Sequence, residues 1–160
     1  MIEHTISRLT LHHTATLLTD DADPRSRARA HQRFHLDSGF ADIAYHYLVD
    51  LEGNVLEGRS IAYAGETFTD YDPTGHFLVC CEGNYDEQEP TRQQLDAVAR
   101  LFAWASLTFD VDIATLSGHR DHARTSCPGE NLYQVLEDGT LAIATEAAAT
   151  SKVTLIERCG

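Results

Sequence analysis

No run in this sequence approaches the roughly twenty consecutive apolar residues that a membrane-spanning helix requires. The segment Met1–His4 has neither the basic start nor the apolar core of a secretion signal. We therefore expect no insertion into a membrane, and a chain that is cytoplasmic as synthesised.

Basic residues are also scarce in the chain. It has 12 Lys and Arg against 25 Asp and Glu, which gives a formal net charge of −13 at pH 7. Binding to nucleic acid depends on a positive surface that neutralises phosphates, and unaided docking on anionic lipid depends on the same kind of surface. The composition therefore argues against nucleic acid and anionic membranes as partners.

Cysteine is the third scarce residue, with four positions that show no regular spacing: Cys80, Cys81, Cys127 and Cys159. The run Phe77-Leu78-Val79-Cys80-Cys81 is typical of a buried strand, in which adjacent thiols point to opposite faces and do not pair. We infer no disulfide framework, which favours a reducing compartment.

The 160 residues, 42% of them hydrophobic, suffice for one domain with a buried core. Alternating apolar residues predict a first strand that ends near His13, and Pro90–Phe109 has the period of a core helix with Thr91 as its N-cap. Turn residues between two β-rich runs predict a hairpin over 43–59. Three further elements are predicted: a helix over 24–36, a strand over 76–83 and a helix over 130–136.

This mixture of elements favours an α/β fold, a single domain with a central mixed β-sheet flanked by helices. We expect the domain to occupy residues 1–138. The C-terminal extension of residues 139–160 could add a helix and an edge strand or stay partly mobile.

The clearest chemistry lies in Ser117–Gly129, which has an imidazole and a thiol eight positions apart, at His119 and Cys127. Pro128-Gly129 directly after the thiol favours a turn that brings both side chains to one point. Catalytic zinc takes three protein ligands and leaves its fourth position to water, so a third donor is needed. The pair His12-His13, at the end of the first predicted strand, is the best candidate.

Histidine is common in this chain, with nine residues, and most histidines in proteins are surface or hydrogen-bonded core residues. We interpret four of them as ordinary residues of that kind: His4, His31, His76 and His122. Two histidines and one cysteine around a metal leave one tetrahedral position open, which is the catalytic rather than the structural pattern of zinc.

Three separated blocks of the sequence carry a family resemblance. They are Leu11-His12-His13-Thr14-Ala15, residues 42–49 with 53–59, and residues 118–121 with 125–129 and 132–133. Together they resemble the zinc-dependent N-acetylmuramoyl-L-alanine amidases of the amidase-2 class, whose superfamily includes the peptidoglycan recognition proteins. The blocks occur in the family's order, and the resemblance covers residues 5–136.

The resemblance implies a role for each matching residue. It makes His12, rather than His13, a zinc ligand together with His119 and Cys127. It also implies that Tyr45 and Thr125 are catalytic, since they match an active-site tyrosine and a position that is Thr or Lys in active members. Members that only bind peptidoglycan usually lack the cysteine ligand, so its presence here favours catalysis.

The resemblance also assigns substrate contacts to three residues: His35, Phe40 and Thr14. The chain departs from the family near them, because it is slightly shorter after His35 and lacks an arginine often found after the Asp37-Ser38 pair. The loop 63–75 departs further, with Tyr63-Ala64-Gly65-Glu66 where relatives often carry histidines. The choice between lysine-type and diaminopimelate-type stem peptides therefore stays open.

We accordingly expect a zinc-dependent hydrolase that cleaves the amide between N-acetylmuramic acid and L-alanine, acting as a monomer on peptidoglycan or soluble muropeptides. Two alternatives remain: a module that binds muropeptides without cleaving them, and a zinc-stabilised interaction domain. Within the enzyme hypothesis, a phage lysin, a delivered toxin and a recycling enzyme are all open. The first two would reach the cell wall by a non-classical route.

Overall fold

The computed structural model describes residues 1–18, 23–151 and 153–156. The helices are α1 (Pro24–Asp37), α2 (Arg92–Phe109), α3 (Glu130–Glu137) and α4 (Thr140–Ala149), and two short 3-10 turns cover Ile113–Thr115 and His119–Asp121. The strands are β1 (Arg8–His13), β2 (Tyr47–Val49), β3 (Val55–Glu57), β4 (His76–Cys81) and β5 (Ser117–Gly118). None of the helices in these residues is long and apolar enough to cross a membrane.

The five strands form one mixed sheet in the order β3-β2-β4-β1-β5. β4 runs parallel to both β1 and β2, β5 runs parallel to β1, and β3 pairs antiparallel with β2. The predicted α/β fold with a central mixed sheet flanked by helices is confirmed, and so is the hairpin. Its first strand is shorter than predicted, because β2 begins only at Tyr47.

The two faces of the sheet have different roles. Leu9 and Leu11 of β1 pack in the main core, as do Phe77, Val79 and Cys81 of β4, against apolar residues of α2, α3 and α4. Strand side chains alternate between faces, so Thr10 and His12 lie on the other face together with Cys80, the register partner of His12. That second face carries the candidate site.

Helix α2 follows the sequence-based prediction closely. Thr91 is its N-cap, and the Thr91 hydroxyl accepts a hydrogen bond from the Gln94 N–H at 3.1 Å. Val98 and Phe102, one turn apart, are both buried in the main core. Burial at helical spacing therefore fixes the helix against one face of the sheet and leaves the opposite face for the site.

Helix α1 is held against the sheet by contacts with a buried glutamate, Glu82. The Glu82 side chain is fully buried, and Arg27 Nε donates a hydrogen bond to its Oε2 at 3.0 Å. Arg27 also lies 3.5 Å from the Asp50 carboxylate, and His31 Nε2 lies 3.7 Å from Glu82 Oε1. Burial raises the pKa of Glu82, and the charge of Arg27 opposes that rise. These contacts hold α1 where its residues can line the groove described below.

The C-terminal extension contains α4, which packs against α2 and α3. Leu141 and Thr145 of α4 are buried. Residues 153–156 have no regular secondary structure, while Lys152 and residues 157–160, which include Cys159, lie outside the described residues. Asp23 caps α1 through its carboxylate, which accepts a hydrogen bond from the Ser26 N–H.

A buried histidine just before β2 predicts how stability depends on pH. His46 is fully buried, accepts a hydrogen bond from the Leu78 N–H at Nδ1 (2.9 Å) and contacts the Tyr63 carbonyl through Nε2 (3.0 Å). The neutral ring satisfies both contacts, and burial lowers its pKa from 6.5 to about 4. The unfolded chain therefore binds more protons between these values. His46 stabilises the fold above about pH 6.5, and this contribution is lost as the pH falls towards 4.

We expect this residue to account for about 2–3 kcal/mol of the stability lost between about pH 7 and pH 4.5. Urea denaturation of zinc-free protein at the two pH values measures the loss. The His46→Asn variant should be less stable at pH 7 but lose correspondingly less on acidification. An equal loss in the variant and the wild-type protein would contradict the assignment.

Candidate metal centre and substrate groove

Three chain segments meet at one end of the sheet. His12 lies near the end of β1, and His119 directly follows β5, the neighbour of β1. Cys127 lies in the loop before α3, and its Sγ accepts a hydrogen bond from the His13 N–H at 3.4 Å. The loop can approach closely because residue 118 is a glycine, at which a Cβ would lie 2.9 Å from Pro128 Cδ.

The three predicted ligands come together. His12, His119 and Cys127 are buried, and one ligand atom from each lies within 4.8 Å of the other two. His12 Nδ1 and Cys127 Sγ are 3.7 Å apart. Zinc bonds of about 2.1 Å to nitrogen and 2.3 Å to sulfur, at a tetrahedral angle, would hold these atoms about 3.6 Å apart. The donor set and its spacing therefore fit a zinc ion with one open position.

Strand alternation explains which histidine of the pair belongs to this cluster. His13 points to the other face, where its ring lies 6.2 Å from that of Tyr85 and its Nδ1 accepts the Tyr85 N–H at 3.3 Å. The sequence pattern alone left His12 and His13 open, and the resemblance favoured His12. The geometry brings His12 to the other two donors.

The electrostatics of the cluster suit a cation. Burial lowers the pKa of His12 well below 6.5, with a further contribution from His119, and burial lowers the pKa of His119 to about 4. Both rings are therefore neutral at pH 7, as metal ligands must be. Burial raises the pKa of the Cys127 thiol to about 12, so its ionisation requires a compensating positive charge.

The two predicted catalytic side chains border the same cluster. Tyr45 lies just before β2, with its ring centroid 5.3 Å from that of His12. Burial raises its pKa well above 10, and the nearby Cys80 and Cys127 thiols add to the rise, so the hydroxyl keeps its proton. The Thr125 hydroxyl accepts a hydrogen bond from the Cys127 N–H at 3.2 Å.

A groove of about 480 Å³ opens beside these residues. All three predicted substrate residues line it. The His35 ring stacks on Phe40 with centroids 5.3 Å apart and accepts the Ala44 N–H at Nδ1. The Thr14 hydroxyl donates to the Gly83 carbonyl and accepts from the Gly83 N–H, so it also joins the end of β1 to the segment after β4.

Several groove residues were not predicted from the sequence. His31, interpreted as an ordinary residue, lines the groove together with Phe34. The loop between β3 and β4 contributes four more: Glu66, Thr67, Phe68 and Thr69. Phe68 is 63% exposed and stacks on Phe40 with centroids 4.4 Å apart. No periodic pattern marks this loop, so its turn-forming residues were the only signal in the sequence.

The same loop contacts the imidazoles of His12 and His119. His119 Nε2 lies 2.8 Å from Thr69 Oγ1 and 3.3 Å from Thr67 Oγ1. His12 Nε2 lies 3.4 Å from the Tyr71 hydroxyl. Two other histidines bond elsewhere, as expected of ordinary residues: His76 to the Thr10 hydroxyl at 2.8 Å, and His122 to the Ser117 hydroxyl at 2.9 Å.

Comparison with known proteins agrees with this geometry. A family model described as N-acetylmuramoyl-L-alanine amidase matches residues 3–130. An N-acetylmuramoyl-L-alanine amidase of Sus scrofa is 37% identical over 135 residues, which cover 80% of this chain but only 22% of that protein.

The same fold occurs in solved structures. Drosophila peptidoglycan recognition protein SD has a TM-score of 0.76 and 31% identity, covering 86% of this chain and 84% of its own. Human PGRP-IBETAC, in complex with glycosamyl muramyl pentapeptide, has a TM-score of 0.76 and 26% identity over 85% of each chain. The chain thus spans most of these recognition proteins but less than a quarter of the mammalian amidase.

Proposed function

The chain belongs to the N-acetylmuramoyl-L-alanine amidase family, and from that premise we propose that it is a zinc-dependent hydrolase of peptidoglycan or muropeptides. The bond cleaved is the amide between the lactyl group of N-acetylmuramic acid and the L-alanine of the stem peptide. One observation carries the proposal: the donor atoms of the buried residues His12, His119 and Cys127, which line the groove, converge within 4.8 Å.

The donor set decides which chemistry the site can support. Two neutral imidazoles and one thiolate leave a fourth tetrahedral position open to solvent. When bound there, zinc supplies a Lewis acid for the amide carbonyl and lowers the pKa of water towards neutrality. The Cys127 thiol is buried and hydrogen-bonded by the His13 N–H, which suits a ligand rather than a nucleophile.

Tyr45 and Thr125 are the groups we assign to the reacting atoms. The Tyr45 hydroxyl keeps its proton at neutral pH, so it can donate a hydrogen bond to the carbonyl oxygen as negative charge develops there. The Thr125 hydroxyl lines the groove and can orient the attacking water. Its hydrogen bond with the Cys127 N–H holds it in place beside the ligand.

The groove offers side chains for recognition of the substrate. His35, Phe40 and Thr14 offer an aromatic stack and backbone-anchored polar groups within reach of a bound chain. The complex of human PGRP-IBETAC with a muramyl pentapeptide makes a muropeptide of this size a reasonable ligand. We propose these three residues as its contacts.

Removal of the metal tests the function directly. Defined muropeptides are incubated with the zinc-loaded protein and with protein stripped by a chelator, and the products are identified by mass spectrometry. We expect only the loaded protein, and the stripped protein after zinc is restored, to release a free stem peptide that begins with alanine. The masses of the two products should together exceed that of the substrate by one water.

Two other results would contradict the proposal. Binding of muropeptides by zinc-loaded protein without any cleavage would favour a recognition module. Cleavage by fully stripped protein at the same rate would rule out the metal as the source of activity. The metal content of each sample should be measured in the same preparations.

A further inference from the structure

The loop between β3 and β4 places three hydroxyl groups on the far side of the two imidazoles. Thr67 Oγ1 and Thr69 Oγ1 are 2.8 Å apart, and both lie near His119 Nε2. The Thr69 N–H donates to Thr67 Oγ1 at 3.1 Å, which fixes the pair relative to each other. Two positions further on, the Tyr71 hydroxyl reaches His12 Nε2.

In each imidazole ring, one nitrogen faces the metal cluster and the other contacts a hydroxyl group of the loop. In His12, Nδ1 lies 3.7 Å from Cys127 Sγ, so this nitrogen faces the metal cluster while Nε2 faces Tyr71. In His119, Nε2 is engaged by Thr69, which leaves Nδ1 for the cluster. A neutral imidazole has one lone pair and one N–H, so binding a metal through Nδ1 requires the proton on Nε2.

The hydroxyl groups can accept hydrogen bonds from these N–H groups, and the donors and acceptors then form a consistent network. His119 Nε2–H donates to Thr69 Oγ1, and the Thr69 hydroxyl donates to Thr67 Oγ1. Metal-binding histidines usually donate their second N–H to a fixed acceptor, which holds the ring and its tautomer and increases metal affinity. At 3.4 Å the contact between Tyr71 and His12 is at the long end of hydrogen bonds and should contribute less.

We propose that Thr69 and Tyr71 are positioning residues that hold His119 and His12 with Nε2 protonated and Nδ1 directed at the metal. One short loop thereby orients both imidazole ligands, and Thr67 anchors Thr69. The inference rests on the metal centre of the proposed function but not on the reaction. It concerns a loop whose sequence departs from the family pattern, at residues for which the resemblance implied no role.

The first test needs no substitution. NMR spectra that correlate the ring nitrogens with the ring protons distinguish Nδ1-bound from Nε2-bound imidazoles in the zinc-loaded wild-type protein. We expect His12 and His119 both to be bound through Nδ1 with a protonated Nε2. Coordination of either ring through Nε2 would overturn the proposal for that ring.

The second test measures zinc affinity by competition with a chelator of known affinity. Thr69→Val removes the hydroxyl while keeping the shape of the side chain, and it should weaken zinc binding by about 10–100-fold. Thr69→Ser restores the hydroxyl and should restore most of the affinity. Tyr71→Phe should weaken binding by a smaller factor.

A matched control comes from the same loop. The Thr74 N–H donates a hydrogen bond to the Asp72 carboxylate at 2.9 Å, and among the described residues Thr74 is not a hydrogen-bond partner of His12 or His119, so Thr74→Val should leave zinc affinity unchanged. Wild-type affinity in Thr69→Val would overturn the role of Thr69, and wild-type affinity in Tyr71→Phe would overturn that of Tyr71.

These outcomes are separable from failure of the proposed function. A protein that binds zinc tightly through both Nδ1 atoms but cleaves no muropeptide would support this inference and contradict the hydrolase proposal. Cleavage of muropeptides, together with wild-type zinc affinity in both Thr69→Val and Tyr71→Phe, would support the hydrolase proposal and contradict this inference.

Discussion

Replacement of Cys127 by serine is expected to abolish both zinc retention and hydrolysis. The thiolate is the only anionic member of the ligand set, and a serine hydroxyl stays neutral and binds zinc weakly. Loss of the metal removes several kcal/mol of stabilisation from the transition state, which corresponds to a decrease in rate of at least about a thousandfold. Metal analysis and the muropeptide assay on the purified variant measure the two effects.

A matched substitution controls for the loss of a buried thiol. Cys81 is also buried, but it lies on the opposite face of the sheet and packs in the main core. Cys81→Ser should therefore lower the stability of the fold while leaving one zinc ion per chain and activity per folded molecule intact. Full activity and zinc content in Cys127→Ser would refute the metal assignment.

Removal of the Tyr45 hydroxyl is expected to separate binding of the metal from catalysis. Tyr45→Phe keeps the ring that packs near His12 and His35 but deletes the proton donor. Loss of one donor to a developing oxyanion typically lowers kcat by about 10²–10³-fold. Zinc affinity and muropeptide affinity should stay close to those of the wild-type protein, because the hydroxyl is not a ligand and acts mainly in the transition state.

The same substitution at a core position provides the comparison. Tyr47 packs against Phe77 and Trp104 on the helical face, so Tyr47→Phe should leave the kcat of the folded protein unchanged. If Tyr45→Phe cleaves muropeptides as fast as the wild-type protein, the tyrosine is a packing residue and the mechanism needs another donor. A loss of zinc in Tyr45→Phe would indicate a structural role.

Local patterns in the sequence account well for the regular elements. Helix α2 was predictable because a long helical period, with Thr91 as N-cap, coincides with burial against the sheet. β1 was predictable from its alternation, and the same alternation separates His12 from His13 once the core face is known. β2 is shorter than its β-rich sequence suggested, since the backbone of Tyr45 and His46 pairs with Arg59 and Leu78 outside the regular ladder.

The site itself depended on more than local pattern. Spacing made His119 and Cys127 candidates, but the choice of the third ligand and of Tyr45 and Thr125 came from the family resemblance. The hydroxyls of Thr69 and Tyr71 had no signal, because an irregular loop has no period and its contacts form only when the sheet brings distant segments together. The ion pair between Arg27 of α1 and Glu82 was not predicted either, because Glu82 lies in a run that otherwise predicts an apolar strand.

The wide separation of the three donors along the chain links the metal site to the completed fold. Cys127 lies 115 positions after His12 in the chain, and the two side chains are brought together by the tertiary structure, in which β5 pairs with β1. A nascent chain that stops short of this loop therefore has no complete binding site. A zinc ion that binds only the folded arrangement would stabilise it in proportion to the logarithm of the free zinc concentration, so zinc availability would influence the stability of the whole fold.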